Sequence, residues 1–129
     1  DSSAYIAFKK RHPEVIDILQ QAELIFLCPI VLGELRAGFL QGTKRDINER
    51  ELRHFLESSR VRVLVMDAET SERYAVIHVA LKKAGTPVGI NDVWIAASAM
   101  QHGLPVLTSD RDFHKIPQII VRYFPALTA

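Results

Sequence analysis

Residues 92–113, which read DVWIAASAMQHGLPVLTSDRDF, indicate the class of fold more clearly than any other segment of this chain. Apolar side chains recur at helical spacing through residues 93–101, and Gly103 with Pro105 marks a turn after them. The apolar run at residues 105–107 predicts a buried strand, and residues 108–112 form a polar loop directly behind it. This order of helix, turn, strand and polar loop is typical of a domain in which helices alternate with parallel strands.

The rest of the chain continues the alternation. Further strands are predicted at residues 24–28, 61–66 and 119–121, and helices are predicted to start near residues 2, 13, 29, 46 and 70. Asp67 or Thr70 is the expected N-cap of the helix that ends near Lys83, and Asn91 or Asp92 is the expected N-cap of the next one. We therefore predict one three-layer α/β/α domain over residues 1–129, with a central, mostly parallel sheet.

Composition narrows the class of protein without giving its function. The chain has 129 residues, of which 48% are apolar and 24% charged, as expected for one soluble domain with its own core. The formal net charge is only +1, so bulk charge gives no indication of a nucleic-acid partner.

Cysteine usage and hydropathy indicate the compartment. Cys28 is the single cysteine, which excludes an internal disulfide and favours a reducing, cytoplasmic setting. The longest apolar run, residues 24–32, is broken by Pro29 and is far shorter than the roughly 20 residues that a membrane-spanning helix needs. We therefore expect no contact with a membrane.

Acidic residues occur where the predicted strands end. Ligands in open α/β sheets bind beyond the carboxyl ends of the strands, where residues 29–34 and 108–112 are expected to lie. Several carboxylates converging from different elements form the kind of site that holds Mg²⁺, and divalent cations activate water for hydrolysis of phosphodiesters. The candidates are Asp1, Glu34, Asp92 and Asp110, with Asp112 as an alternate.

Each of these residues also has a simpler interpretation. Asp1 and Asp92 are suited to capping the helices that follow them. Glu34 fits a solvated helix face, and Asp110 or Asp112 fits a turn. The occurrence of the set at one predicted edge, rather than any single position, indicates a site.

The chain resembles the PIN-domain family, in particular toxins of the VapC type. Residues 92–113 resemble the C-terminal half of that domain, Asp1-Ser-Ser resembles its opening motif, and Glu34-Leu-Arg-Ala-Gly resembles its Glu-Leu-x-x-Gly helix. The resemblance implies one or two Mg²⁺ or Mn²⁺ ions held by Asp1, Glu34, Asp92 and Asp110. It leaves Asp112 as an alternate ligand and Thr108 as a supporting one.

The resemblance also implies a function and partners. It predicts a metal-dependent endoribonuclease that cleaves tRNA, rRNA or mRNA, acting as the toxin of a type II toxin–antitoxin pair. A cognate antitoxin and a homodimer formed through the N-terminal helices are expected partners. The family has a strand before its first aspartate, so we expect a strand upstream of Asp1.

The sequence also allows two other classes of function besides the nuclease. A PIN-like module that binds RNA or a protein without cutting is the main alternative. A phospho-acceptor signalling domain is disfavoured because no lysine–threonine arrangement suited to reading a phosphate is apparent.

Several residues near the expected site carry alternative interpretations. Arg111, His114 and Lys115 lie beside the polar loop and are the best candidates for contacts with RNA phosphates. Arg36 either contacts phosphate or forms a surface ion pair. Trp94 is expected in the core rather than as a platform for a base.

Overall fold

The computed structural model describes residues 1–127, which form a mixed α/β domain. Within that range there are six α-helices, four short β-strands and one 3₁₀ helix. Their bounds are α1 Ser2–Lys9, α2 Pro13–Gln21, β1 Ile25–Leu27, α3 Pro29–Gln41, α4 Arg45–Glu57, β2 Val61–Val63, α5 Ala68–Ala84, α6 Ile90–His102, β3 Val106–Thr108, the 3₁₀ helix Arg111–Lys115 and β4 Val121–Tyr123.

All strand pairing in the described residues is parallel, which confirms the predicted class. β1 pairs with β2, so that Ile25 lies opposite Val61, and β3 pairs with β4, so that Thr108 lies opposite Tyr123. Helices connect the strands of the first pair, as parallel strands require a long crossover. The carboxyl ends of β1 and β3 lead into the regions that carry the candidate site residues.

The strands form two pairs with an apolar cleft of about 430 Å³ between them. The backbone groups of Ile25 and Leu27 form hydrogen bonds on the side of β2. Those of Val106 and Thr108 form hydrogen bonds on the side of β4. Backbone groups alternate along a strand, so those of Phe26 and Leu107 are directed at the cleft, which β1 and β3 both line. The strand expected upstream of Asp1 stays a prediction.

One buried cluster holds the helices and strands together. It includes Phe113 from the 3₁₀ helix, Ile77 from α5 and Leu52 from α4, each 0% exposed. The buried face of α6 is built largely from small side chains at residues 96–99, which let the helix pack closely against its neighbours. This packing fixes the start of α6 beside the end of β3.

The helix caps agree with the sequence at α5 and differ from it at α6. Asp67 caps α5 and forms a capping box with Thr70, as predicted. The N-cap of α6 is Gly89, so the expectation that Asn91 or Asp92 caps this helix was wrong. Both lie in its first turn, where the helix dipole still favours the Asp92 carboxylate.

The first two strands are shorter than predicted, and the last one is displaced along the chain. β4 covers Val121–Tyr123 rather than residues 119–121, because residues 117–119 form a turn after the 3₁₀ helix. Apolar residues continue through both segments, so hydrophobicity alone does not position the strand. None of the helices in residues 1–127 is long and apolar enough to cross a membrane.

Candidate metal centre

Three aspartates meet at the carboxyl end of β3. Asp92, Asp110 and Asp112 each have a carboxylate oxygen within 4.8 Å of those of the other two, and all three are half-buried. Asp92 comes from α6, whereas Asp110 and Asp112 come from the loop and the 3₁₀ helix after β3. The structure therefore joins the predicted fourth ligand and its alternate in one cluster.

The local fold of the loop brings its two aspartates together. Asp110 caps the 3₁₀ helix, and its Oδ1 accepts the backbone N–H of Asp112 at 2.9 Å. The buried Phe113 then anchors this short helix in the core. An Asp-x-Asp-Phe sequence thus turns the chain while presenting two carboxylates to α6.

Burial and then repulsion from neighbouring carboxylates raise the pKa of Asp92 to about 6. Burial is the largest cause, and the neighbouring charges of Asp110, Glu34 and Asp112 add to it. A bound cation would remove this repulsion, so the site is suited electrostatically to a divalent metal.

Asp1 is held beside the cluster by α1 and β3. Its carboxylate caps α1, accepting the backbone N–H of Ala4 at 3.3 Å and the hydroxyl of Ser3 at 2.7 Å. The hydroxyl of Thr108 donates to its other oxygen at 2.8 Å. The capping role considered from the sequence is therefore real, and the carboxylate lies at the end of β3 as well.

Glu34 is oriented by two residues that sequence reasoning did not select. Ser2 Oγ donates to Glu34 Oε1 at 2.7 Å, and Asn91 Nδ2 donates to Oε2 at 3.5 Å. Each donor is the immediate sequence neighbour of a predicted carboxylate, Asp1 or Asp92. That adjacency is the signal that would have found them.

Thr108 links two of the predicted acidic residues. The residue is 0% exposed, and its hydroxyl donates to Asp1 while accepting the backbone N–H of Asp110 at 2.9 Å. Its oxygen is thus engaged by the protein, and the side chain positions two carboxylates from behind them.

The basic candidates have different partners. Lys115 Nζ lies 2.9 Å from Asp112 Oδ1, and Arg36 Nε lies 3.1 Å from Glu49 Oε1, so the surface ion pair considered for Arg36 is formed. Arg111 instead lies over the ring of Tyr123, and the His114 ring packs against the same tyrosine.

Trp94, expected in the core, is half-buried and stacks on Tyr74 at a centroid distance of 4.1 Å.

One known family of domains matches most of this chain. The sequence model of the PIN domain matches residues 1–119. The chain belongs to the PIN-domain family. The resemblance drawn from residues 92–113 is therefore confirmed.

Relatives of this PIN domain include ribonucleases of the VapC type. It is 38% identical over 92 residues to the ribonuclease VapC4 of Mycobacterium tuberculosis, which covers 71% of each chain. It is 40% identical over 91 residues to the tRNA(fMet)-specific endonuclease VapC of Salmonella typhimurium, covering 70% of this chain and 67% of that one.

Solved structures agree with the fold over almost the whole chain. VapBC2 from Rickettsia felis, crystallised on a DNA fragment from its promoter, matches with a TM-score of 0.86 at 25% identity, covering 95% of both chains. DNA-bound VapBC from Salmonella typhimurium matches with a TM-score of 0.84 at 30% identity, covering 95% of this chain and 94% of that one.

Proposed function

We propose that this PIN domain is a Mg²⁺- or Mn²⁺-dependent endoribonuclease and the toxin of a type II toxin–antitoxin pair. The observation that carries the proposal is the convergence of Asp92, Asp110 and Asp112 from two elements onto one point. The names of the relatives support the choice of RNA as substrate, because several are called ribonucleases.

The chemistry of the donors fits a hard divalent cation. The clustered side chains offer only carboxylate oxygens as ligands. Hard cations such as Mg²⁺ and Mn²⁺ prefer oxygen ligands, whereas softer metals prefer sulfur or nitrogen. We propose Asp1, Glu34, Asp92 and Asp110 as the catalytic carboxylates and metal ligands, with Asp112 as an alternate ligand and Thr108 in support. One or two bound ions would supply an activated water and stabilise charge on the phosphoryl oxygens.

The protein's own contribution is to hold these carboxylates in fixed orientations. Thr108 and Ser3 restrain Asp1, and Ser2 restrains Glu34. Such contacts behind the ligands reduce the reorganisation that is needed when a metal and a phosphodiester bind. Among the basic side chains, Arg36, Arg111, His114 and Lys115 are proposed to contact the RNA.

Partners and location follow from the relatives and the sequence. Because similar chains occur in VapBC structures, we propose a cognate antitoxin that covers the acidic mouth. A homodimer through the N-terminal helices is also proposed, and Ile6 on α1 is 45% exposed there. Cytoplasmic location is proposed because Cys28 is buried as a free thiol.

Cleavage of a mixed pool of tRNA and rRNA tests the nuclease. The purified chain would be assayed with Mg²⁺, Mn²⁺ or EDTA, next to Asp92→Asn and the control Asp17→Asn on an exposed position of α2. Metal-dependent cuts that vanish only in Asp92→Asn are expected. Equal cleavage by both variants would reject the proposed site, whereas RNA binding without cleavage or metal uptake would favour the non-cutting module.

A further inference from the structure

The side chain of Arg111 turns away from the two aspartates that flank it in sequence. Its Nε donates to the Tyr123 hydroxyl at 3.4 Å, and its guanidinium carbon lies 5.6 Å from the centre of the Tyr123 ring. Within residues 1–127, no carboxylate oxygen lies within 4.0 Å of its nitrogens, whereas Lys115 is paired with Asp112. Arg111 therefore presents an exposed, unneutralised charge at the rim of an acidic cluster.

Tyr123 gives this charge a fixed position. The tyrosine ends β4, where it lies opposite Thr108 in the strand pair, so the backbone of both residues is fixed by the sheet. The centre of the His114 ring lies 5.7 Å from that of the Tyr123 ring. An arginine held on an aromatic ring loses less side-chain freedom when it binds an anion than one that moves freely in water.

The chemistry of the pair matches that of a nucleotide. Guanidinium groups bind phosphate through paired hydrogen bonds, and guanidinium and aromatic planes both stack on bases. Arg111 lies between Asp110 and Asp112 in the sequence, and Tyr123 lies opposite Thr108 in the strand pair, so the pair adjoins the place where those carboxylates would meet a phosphate. Bases in a duplex are already stacked on each other, so a base free to stack here must come from a single strand.

We propose that Arg111 and Tyr123 form a subsite for the nucleotide next to the scissile phosphate of a single-stranded polynucleotide. This inference rests on the proposed nuclease function and goes beyond it by assigning a second binding position and a new residue, Tyr123. Arg111 binds the neighbouring phosphate, and Tyr123 positions Arg111 and carries the base.

Binding of a fluorescein-labelled single-stranded RNA dodecamer, followed by anisotropy at several KCl concentrations, tests the subsite. The full chain with Asp92→Asn is used, so that cleavage does not interfere. Arg111→Ala should weaken binding about tenfold and lower the salt slope by about 0.7, the amount for one phosphate contact on a single strand. Tyr123→Ala should also weaken binding about tenfold, because a stacked base is lost.

Three controls separate the subsite from a structural role. Tyr123→Phe retains the ring and should bind within about twofold of the parent, since only one long hydrogen bond is lost. Lys83→Ala removes an exposed charge from the last turn of α5 and should change the salt slope by less than Arg111→Ala does. A duplex of the same sequence should be insensitive to Tyr123→Ala.

Hydrolysis of the small diester bis(4-nitrophenyl) phosphate with Mn²⁺ distinguishes this inference from the proposed function. With Asp92 intact, Arg111→Ala should lower kcat/KM for RNA several-fold more than it lowers kcat/KM for this diester, which has no neighbouring nucleotide to occupy the subsite. Equal salt slopes for Arg111→Ala and Lys83→Ala would overturn the subsite. If the unmodified chain cleaves neither substrate but Arg111 and Tyr123 still govern binding, the nuclease is rejected and the nucleotide subsite stands.

Discussion

Thr108 Oγ1 donates a hydrogen bond of 2.8 Å to Oδ2 of Asp1, joining the end of β3 to the start of α1. The same hydroxyl accepts the backbone N–H of Asp110, so one buried side chain orients two proposed ligands. The geometry of the acidic centre therefore depends on a residue that lies behind it.

Replacing Thr108 with valine should damage the centre while preserving side-chain volume. The backbone N–H of Asp110 and the Asp1 carboxylate would each lose a partner, which should lower the free energy of unfolding by about 1–3 kcal/mol. Mn²⁺ affinity should fall about 10–100-fold, as for other residues that orient metal ligands. Urea unfolding and calorimetric titration would measure both. Thr108→Ser keeps the hydroxyl and should bind Mn²⁺ nearly as the parent does; similar losses in both variants would contradict this account.

Asp92 should make the metal-free protein less stable as the pH rises. Its pKa is about 6 in the folded protein against an ordinary value of 3.8, so the folded state keeps a proton that the unfolded chain has released. Because the folded state binds more protons than the unfolded chain, the free energy of unfolding falls as the pH rises from the ordinary pKa of 3.8 to the folded-state pKa of about 6.

The variant Asp92→Asn tests the sign of this effect. In EDTA above pH 7, the free energy of unfolding of this variant should exceed that of the parent by about 1 kcal/mol. This value is smaller than the free energy that corresponds to the full pKa shift, because Asp92 is partly exposed to solvent. The two proteins should be equally stable near pH 4. Excess Mn²⁺ should reverse the order at pH 7, because only the parent gains from binding metal. A variant that is less stable than the parent in EDTA at pH 7 would contradict the electrostatic interpretation.

Ser2 should act on the reaction through Glu34. Ser2→Ala removes the 2.7 Å hydrogen bond to Glu34 Oε1, so the carboxylate should lose its fixed orientation. We expect kcat for RNA cleavage to fall about tenfold with little change in KM, because the substrate contacts are elsewhere. Ser59→Ala, in the exposed segment before β2, is the matched control and should be silent. A change confined to KM would argue that Ser2 contacts RNA instead.

Asp110 and Asp112 should contribute unequally to metal binding. Lys115 lies 2.9 Å from Asp112 and already neutralises part of its charge, whereas Asp110 forms no ion pair with a basic group in residues 1–127. Asp110→Asn should therefore weaken Mn²⁺ binding several-fold more than Asp112→Asn does. Calorimetric titration of both variants measures the difference, and the reverse order would make Asp112 the principal ligand of this loop.

The class of fold and the clustering of acidic side chains after β3 could be predicted from the sequence because both depend on simple patterns. Alternation of short apolar runs with helical periodicity indicates parallel strands, and the carboxyl ends of such strands share an edge. These patterns alone predict that residues 108–112 lie at that edge. The family resemblance then ordered Asp1, Glu34 and Asp92 with respect to that loop.

These patterns do not predict contacts between side chains that are far apart in the sequence. The local sequence places Ser2 next to Asp1, but it does not indicate that Ser2 bonds to Glu34 or that Arg111 turns to Tyr123 and away from its acidic neighbours. Tertiary packing determines these contacts, because it fixes where α3 lies against α1 and where β4 lies against the 3₁₀ helix. The cap of α6 was assigned wrongly for a related reason, since Gly89, Asn91 and Asp92 are all acceptable caps and tertiary packing selects among them.

We propose that the carboxylates at the end of β3 hold a catalytic divalent metal. Calorimetric titration of the full chain with Mn²⁺ at neutral pH, with Asp92→Asn and Asp17→Asn in parallel, tests it most directly. We predict saturable binding of one or two ions to the parent and to Asp17→Asn, and its loss in Asp92→Asn. Identical isotherms for all three proteins would contradict the claim, because the metal would then bind somewhere other than the acidic centre.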